Sequence, residues 1–546
     1  MLDRLIELAQ RLAREGQINK TVAHLALTAD TPFTHLGLDS LDAMSLLLAI
    51  EKQIGPELKP AIFDRYSTLG ALARYLETPV SAESSDSPPN EADTPTFDPS
   101  SPEMLSELRQ MGLRQVLKEH GIRDLDAFAQ GYGQVRQALV DQGRWFYDSV
   151  TQSGSDSAAG ILTEGIEGER PCLVWSINHY LGLNRHPDVV ARAREALERF
   201  GTGAGTSAVS GGHSSLHRKI QDRLAAMFGK ETAVLYTTGY TANLGAISTL
   251  AKNVSTGILI DREVHASIVD GCRLSGAKFL LFKHNSVDDL AEKLTDLAGQ
   301  YDNLLVVVES VYSMSGDEAP LAEIVALKDR FRFRFFVDEA HSFGFYGPQG
   351  AGMCRALGIE DQVDFIMTTL SKSTASIGGV VAVNRDIRAL LAADSNAYLF
   401  QAAISPADAA AVDAALDIIE REPGRIESLW HKTRYFRERL TAMGFDLGAS
   451  KSPIVPIYVR DADKLNIMAK DLFDRGIFTV AVTYPAVGFD EVRFRFIVNT
   501  SHSGEQIDQT LRVLEEVGRH HGLIARALKN EHGVLHHPRS NVLPSS

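Results

Sequence analysis

A proline- and acid-rich segment interrupts this 546-residue chain and separates a short first part from a long second part. Residues 79–100 read PVSAESSDSPPNEADTPTFDPS, with five prolines, five acidic residues and no basic residue. Such a composition cannot bury enough apolar surface to form a core, so we interpret the segment as a flexible linker. As a coil, a segment of this length spans roughly 25 Å. The chain is therefore expected to fold as separate units on either side of residues 79–100.

The part before the linker, residues 1–78, predicts a small all-α domain. Its segments LIELAQRLA, LDAMSLLLAIEKQIG and TLGALARYLE carry apolar residues at helical spacing. Within LGLDSLDAM, Ser40 follows Asp39 at a predicted helix start. The simplest interpretation of a serine in that place is a plain helix cap.

The part after the linker predicts an α/β fold. Residues 101–171 begin with EMLSELRQMGLRQVLKEHGIRDLDAF and are expected to form a helical N-terminal arm. Residues 172–424 alternate short apolar strands with helices, which is typical of a mostly parallel sheet covered by helices. The pattern of residues 425–525 predicts a smaller α+β domain, and the polar residues 526–546 are expected to form a frayed tail.

Composition and charge exclude several classes of protein. The net charge of −15 argues against a nucleic-acid partner. Cys172, Cys272 and Cys354 form no CxxC pair, which excludes a disulfide scaffold and a cysteine zinc site and fits a reducing cytoplasm. No metal site is expected. The N-terminus lacks the features of a signal peptide, and no apolar run approaches the length of a transmembrane helix. A peripheral membrane contact is left open.

Chemistry-bearing side chains follow three of the predicted strands. Lys372 lies in TTLSKSTASIGG, where small neighbours allow a partly desolvated lysine to act as an imine-forming nucleophile, although an exposed loop lysine is the alternative. Asp338 ends an apolar strand, and His341 follows three residues later. Carboxyl ends of strands face the ligand crevice, where a carboxylate can pair with the pyridinium nitrogen of pyridoxal phosphate. His265 follows another strand, and its flat ring suits stacking on a planar cofactor.

These residues and the motifs around them resemble the α-oxoamine synthase family of pyridoxal-phosphate enzymes, which includes serine palmitoyltransferase and 8-amino-7-oxononanoate synthase. The resemblance covers roughly residues 170–520. It is carried by INHYLGL, GTGAGTSAVSGGHSSLH, TTGYTANLG, HASIVDG, VYSMSGDEAPL, VDEAHSFGFYG, TLSKS and RFRFIVNTSH. GTGAG follows a helix-like segment rather than a strand, so it is not interpreted as a dinucleotide loop. The resemblance implies the fold-type I aminotransferase-like architecture and an obligate homodimer.

The resemblance also implies roles for individual residues. Lys372 corresponds to the Schiff-base lysine, Asp338 to the partner of the pyridinium nitrogen, and His265 to the stacking histidine; these three are the expected catalytic residues. His341 corresponds to the group near the phenolic oxygen of the cofactor. The residues expected on the phosphate side are Gly239, Tyr240, Thr369 and Ser371.

On the substrate side, the resemblance assigns Asn178 and Arg495, the latter as the residue that grips the amino acid carboxylate. Arg493 points to the same face of the predicted strand, and Arg495 is preferred only on motif spacing. Two positions depart from the family pattern. Ala208 lies near the place of a family arginine, and Gln401 stands where a serine or threonine often reaches the partner subunit's phosphate. Acyl-CoA specificity and the phosphate contact are therefore open.

The implied reaction condenses an amino acid with an acyl thioester and releases CO₂, a free thiol and an α-amino ketone. That need for a thioester gives Ser40 a second interpretation, because LGLDSLDAM resembles the attachment motif of acyl carrier proteins. Ser40 would then carry 4′-phosphopantetheine, added by a phosphopantetheinyl transferase. The linker would deliver the acyl group to the enzyme at high effective concentration.

Several alternatives stay open. TLSKS is most similar to serine palmitoyltransferases, which favours L-serine, but glycine and L-alanine remain candidates. The acyl group could instead arrive on coenzyme A. A different pyridoxal-phosphate activity, such as that of an aminotransferase, and a non-catalytic carrier scaffold are the remaining hypotheses.

Overall fold

The computed structural model describes residues 1–15, 18, 20–31, 33–36, 38, 42, 45–47, 49, 50, 68–77, 112–122 and 124–525. The predicted attachment residue Ser40, the predicted linker 79–100 and the predicted tail 526–546 lie outside the described residues.

The first unit has a core of its own. Helices α1 (Leu2–Arg14) and α2 (Leu69–Glu77) carry apolar residues at helical spacing, so each buries one face. Leu5, Leu8 and Leu12 pack in one apolar cluster with leucines of α2. The cluster is distinct from the large core of the remaining chain.

The segment after residue 111 starts with helices and continues with strands. Helices α3 (Leu113–Glu119) and α4 (Leu125–Asp141) agree with the expected arm, but three strands follow them: β1 (Val150–Thr151), β2 (Ala158–Leu162) and β3 (Arg170–Val174). The prediction of a helical arm over 101–171 is therefore wrong beyond α4. The physical reason is a glycine-containing turn between β2 and β3 that lets them pair antiparallel and bury Ile161 and Cys172 against Phe473.

The central sheet has seven strands in the order β4-β10-β9-β8-β7-β5-β6. Strand β10 runs in the direction opposite to the other six strands, so the predicted mostly parallel sheet is confirmed. The connection from β9 to β10, residues 370–378, is too short for a helical crossover, which explains the reversal. The strands are β4 (Thr232–Tyr236), β5 (Thr256–Asp261), β6 (Phe279–Phe282), β7 (Asn303–Glu309), β8 (Arg334–Asp338), β9 (Phe365–Thr369) and β10 (Gly379–Val383).

Helices cover this sheet, as the strand–helix alternation predicts. They are α5 (Pro187–Phe200), α6 (Ser215–Met227), α7 (Gly239–Ala251), α8 (Ala266–Ser275), α9 (Val287–Leu297), α10 (Leu321–Ala326), α11 (Met353–Leu357), α12 (Arg385–Asp394), α13 (Asn396–Leu399) and α14 (Pro406–Arg421). No helix among the residues with described coordinates is both long and apolar enough to cross a membrane.

The C-terminal part forms a smaller α+β layer. Its antiparallel sheet has the order β11-β14-β13. The elements are α15 (Gly424–Met443), β11 (Ile454–Tyr458), α16 (Ala462–Asp474), β12 (Ile477–Phe478), β13 (Val480–Val482), β14 (Arg493–Ile497) and α17 (Gly504–His520). Strand β12 instead pairs in parallel with β3. It thereby completes a second small sheet of order β1-β2-β3-β12, which joins segments that are distant in the chain.

The topology places the ends of several strands at one edge of the central sheet. Strands β5, β7, β8 and β9 run in parallel. Glu309 and Asp338 are the last residues of β7 and β8, and the loops after β5 and β9 lead to His265 and Lys372. This edge is where an open α/β sheet binds its ligand.

Candidate active site

Lys372 lies in the turn after β9, within hydrogen-bond reach of a buried histidine. Its Nζ is 2.7 Å from His341 Nε2, and His341 Nδ1 is 2.7 Å from the Tyr180 hydroxyl. Burial lowers the pKa of Lys372 to about 8, although the charges of Asp338 and Glu309 oppose this shift. Burial also holds the pKa of His341 well below its ordinary value. When Nζ is protonated it donates to Nε2, so Nδ1 then donates to the Tyr180 oxygen.

Asp338 is buried at the end of β8, and its carboxylate is held by two donors. The Asn243 amide donates to Oδ2 at 2.7 Å, and the Ala340 backbone N–H donates to Oδ1 at 2.8 Å. The same Asn243 Nδ2 also donates to Ser267 Oγ at 3.0 Å. Each carboxylate oxygen has two lone pairs, so Asp338 keeps the capacity to accept from a further N–H group.

His265 caps α8 and is fixed by both its ring and its backbone. The ring Nδ1 accepts from the Ser267 N–H at 3.2 Å and lies 2.8 Å from Ser267 Oγ. The His265 backbone N–H donates to the carboxyl group of Glu309. Burial, with the neighbouring charge of Asp338, raises the pKa of Glu309 well above its ordinary value. The ring of Tyr240 meets the His265 ring edge-on, with centroids 6.0 Å apart.

The first turn of α7 and the turn after β9 together form a cradle of donors. Thr238 caps the helix, and Gly239 is its first residue. A Cβ added to Gly239 would lie 2.7 Å from Thr369 Cβ, so the two segments approach as closely as a glycine allows. Thr369 Oγ1 and Ser371 Oγ are 2.9 Å apart beside this helix start. Free backbone N–H groups at a helix N-terminus, with hydroxyl groups next to them, suit a phosphate.

Arg495 is buried on the central strand of the small sheet and faces the same edge. Its Nε donates to the Ser313 carbonyl at 2.6 Å, and its Nη2 donates to Asn178 Oδ1 at 3.1 Å. The positive charge of Arg495 contributes to lowering the pKa values of Lys372 and His341, after burial, so the three side chains share one electrostatic environment. Arginine has five N–H donors, which leaves the guanidinium able to receive a carboxylate.

Arg493 lies two residues before Arg495 on the same strand and on the same face, but its side chain has different neighbours. Its Nε donates to the Glu491 carbonyl at 2.7 Å, and its Nη1 donates to the Tyr458 hydroxyl at 2.6 Å. Its guanidinium also stacks 4.3 Å from the centre of the Tyr458 ring. The structure thus brings Arg495 together with Asn178 and Lys372, and directs Arg493 to other partners.

A charged clamp supports the loop that contacts Arg495. His284 Nδ1 lies 2.8 Å from Asp261 Oδ1, and His284 Nε2 lies 2.8 Å from Asp317 Oδ2. Burial alone would lower the pKa of His284, but the two carboxylates raise it to about 11. The protonated ring therefore ties the end of β5 to the loop that contains Ser313.

The two departures from the family pattern lie next to each other. Ser207 and Ala402 pair as an isolated β-bridge, which brings Ala208 beside Gln401. The Ala402 carbonyl accepts from Thr237 Oγ1 at 2.6 Å, close to the start of α7. Both positions therefore border the donor cradle rather than the Lys372–His341 contact.

The described residues fit pyridoxal phosphate on structural grounds. The cradle closes around Gly239, the Asp338 carboxylate has free acceptor capacity, and Lys372 has a pKa lowered by burial. Sequence reasoning missed Tyr180, Asn243, Glu309 and His284. Within the described part of the chain, no group of three or more histidine, cysteine or acidic side chains could hold a metal ion.

Comparison with known proteins identifies two regions. Residues 170–514 match the family model described as aminotransferase class I and II, and residues 5–76 match the model described as a phosphopantetheine attachment site. The chain is 38% identical to a serine palmitoyltransferase of Sphingobacterium spiritivorum over 70% of this chain and 94% of that protein. It is 39% identical to an 8-amino-7-oxononanoate synthase of Symbiobacterium thermophilum over 64% of this chain and 89% of that protein.

A solved structure of serine palmitoyltransferase with pyridoxal phosphate superimposes with a TM-score of 0.69 at 34% identity, covering 74% of this chain and 100% of that one. Fold, site and matches together define a pyridoxal-phosphate-dependent acyltransferase of fold type I, with 4′-phosphopantetheine as a second prosthetic group. The chain belongs to the α-oxoamine synthase family.

Proposed function

We propose that this enzyme condenses L-serine with an acyl thioester carried on its own Ser40. The products are an α-amino ketone of the 3-ketosphinganine type, CO₂ and the free thiol of the carrier arm. Cα loses its proton and forms the new C–C bond as the thioester C–S bond breaks, and the leaving thiolate takes up a proton to give the free thiol. The bond from Cα to the carboxylate then breaks to release CO₂, and Cα takes up one proton.

The observation that carries this proposal is the placement of Arg495. Its guanidinium is buried, oriented by Asn178 and Ser313, and electrostatically coupled to Lys372. A buried, oriented guanidinium that shares its electrostatic environment with a lysine of lowered pKa is suited to an α-amino acid, whose carboxylate and proton are attached to the same Cα.

The cofactor would be held by residues from four segments. Asp338 would accept from its ring nitrogen, His265 would stack on its ring, and His341 would lie near its phenolic oxygen. Gly239, Tyr240, Thr369 and Ser371 would hold the phosphate. When bound, pyridoxal phosphate supplies an electron sink for negative charge that develops at the amino acid Cα.

Lys372 would move the proton at Cα. With a pKa of about 8, the neutral amine, which can accept a proton, is a minor form near neutral pH and predominates above about pH 8. His341 Nε2, 2.7 Å away, would keep Nζ aimed while the ring itself stays neutral. The Tyr180 hydroxyl lies 2.7 Å from the other ring nitrogen and holds the ring in place, and it can donate to or accept from that nitrogen in either tautomer.

The choice of L-serine rests on similarity. Serine palmitoyltransferases of Sphingobacterium spiritivorum and Bacteroides thetaiotaomicron are 38% and 40% identical to this chain. The choice of a carrier-bound acyl group rests on the phosphopantetheine module in the same chain. Tethering raises the effective concentration of the acyl group without a new binding contact.

The test is a two-stage assay on the full chain. Glycine, L-alanine and L-serine are titrated while the visible absorbance of bound pyridoxal phosphate is recorded, with Lys372→Ala as the negative control. The chain is then loaded with an acyl-phosphopantetheine group, with Ser40→Ala as the unloaded control, and CO₂ release is measured. We expect release with L-serine that depends on both Lys372 and Ser40. Equal rates in the Ser40→Ala chain supplied with acyl-CoA would favour a free acyl-CoA substrate instead.

A further inference from the structure

An ion pair joins the phosphopantetheine module to the catalytic part of the chain, close to the active site. Arg262 Nη2 donates to Asp42 Oδ1. Asp42 follows Ser40 by two residues and lies within the segment that matches the phosphopantetheine attachment model. Arg262 follows the last residue of β5 and precedes His265 by three residues.

Both partners of this pair are largely removed from water. The Asp42 side chain is 4% exposed and the Arg262 side chain is 22% exposed. A carboxylate buried to that extent requires a charged or hydrogen-bonding partner, because an unpaired buried charge is strongly unfavourable. The Arg262 backbone is itself anchored, since its N–H donates to the Phe282 carbonyl at 3.1 Å. The arginine therefore presents its charge from a fixed strand end.

We propose that Arg262 is the docking residue for the carrier module of this same chain, and that Asp42 is the group it receives. This inference rests on the proposed function and adds the surface through which the acyl group is presented. In the sequence, Asp42 is two positions after Ser40, and Arg262 is three positions before His265. These five steps of backbone together span at most about 18 Å. The ion pair thus places Asp42, which follows Ser40 in the sequence, near the loop that carries His265.

The pair adds orientation that the linker alone does not provide. A coil of the length of residues 79–100 spans roughly 25 Å and allows many approaches of the carrier. The charged contact between Arg262 and Asp42, beside the site, favours one of these approaches. Electrostatic docking of this kind weakens as salt screens the charges.

Cross-linking tests the contact without using catalysis. Full-length Ser45→Cys/Glu263→Cys chain, which keeps Asp42 and Arg262, is treated with a short bismaleimide, and the joined peptides are mapped by mass spectrometry. Ser45→Cys/Arg273→Cys is the matched control, because Arg273 is exposed on the neighbouring helix α8. We expect the 45–263 product to exceed the 45–273 product by about tenfold, since proximity sets the rate. Equal yields would overturn the docking proposal whatever the turnover.

Measurements of turnover test whether the ion pair helps the carrier module to deliver its acyl group. For Arg262→Glu we expect the ratio of carrier-borne to CoA-borne acyl turnover to fall by about tenfold or more, the effect of reversing one partner of a largely buried pair. Arg273→Glu should keep the wild-type ratio. The charge swap Asp42→Arg/Arg262→Asp should restore most of the ratio that Arg262→Glu loses.

The outcomes separate the two proposals. Docking through this pair would be overturned if Arg262→Glu leaves the ratio of carrier-borne to CoA-borne turnover unchanged. It would also be overturned if the charge swap Asp42→Arg/Arg262→Asp restores none of that ratio. If the Ser45→Cys/Glu263→Cys chain yields the 45–263 cross-link but the wild-type chain releases no CO₂ from any amino acid, docking is supported and the proposed function is rejected.

Discussion

Replacing Arg495 by lysine should weaken amino acid binding while leaving the cofactor in place. The guanidinium donates to Ser313 at 2.6 Å and to Asn178 at 3.1 Å, and these two bonds fix its plane. Lysine keeps the charge but cannot make both bonds and a bidentate contact with a carboxylate. A charged hydrogen bond contributes about 1.5–3 kcal/mol. At 1.36 kcal/mol per factor of ten, the expected loss of affinity is about tenfold to about 150-fold.

The assay is a titration of the holoenzyme with L-serine, followed by the visible absorbance of the bound cofactor, which reports a Kd independent of turnover. Arg493→Lys is the matched control on the same strand. Because Arg493 contacts Tyr458 and Glu491, its replacement should lower the thermal midpoint and leave the Kd for serine within about twofold. The reasoning is refuted if Arg495→Lys binds serine as tightly as the wild type, or if Arg493→Lys loses more affinity.

Three further predictions follow from the buried network. Uptake of pyridoxal phosphate by the cofactor-free protein should accelerate as pH rises through about 8, the pKa to which burial lowers Lys372, because only the neutral amine attacks a carbonyl. Stopped-flow absorbance measures this rate, and acceleration only near about pH 10, the ordinary lysine range, would contradict it. For His284, the folded-state pKa of about 11 lies above the ordinary value, so its stabilisation is fully present below about pH 6.5 and is lost as pH rises through about 11. Thermal unfolding of His284→Asn should therefore show its largest deficit at low pH, with the exposed His520→Asn as control. Asn243→Ala should weaken cofactor binding by about tenfold because Asp338 loses its 2.7 Å donor, and an unchanged Kd in an equilibrium titration would reject this role.

The sequence predicted the positions that depend on strand direction. Asp338, His265 and Lys372 each follow an apolar run, and the carboxyl ends of parallel strands share one edge of a sheet. The structure places all three at that edge. The family resemblance also assigns Gly239 to the phosphate side, but the close approach of Thr369 to Gly239 is visible only in the structure.

Residues that act through long-range contacts were not predictable from local pattern. The Tyr180–His341 bond joins positions 161 residues apart, and the bond from the His265 backbone to Glu309 spans 44 residues. A tyrosine in an apolar motif and a glutamate at the end of a buried strand carry no local sign of these partners. The same holds for His284, whose raised pKa arises from two carboxylates on other segments.

The sequence pattern alone does not predict which of Arg493 and Arg495 lies in the candidate active site. Strand alternation gives both the same face, so it cannot choose between them. The choice is made by neighbours from other segments, since Tyr458 and Glu491 engage Arg493 while Asn178 and Ser313 engage Arg495.

The phosphopantetheine module and the catalytic part of the chain support each other's functional interpretation. A serine at a helix start and a lysine in a small-residue turn are each common in proteins without catalytic roles. A module that carries thioesters and an enzyme family that consumes them are far less often joined by chance in one chain. The Asp42–Arg262 pair adds a physical connection, because it lies between the attachment segment and the loop of His265. A tether alone raises the frequency of encounters, whereas a fixed charge at a strand end also selects their orientation.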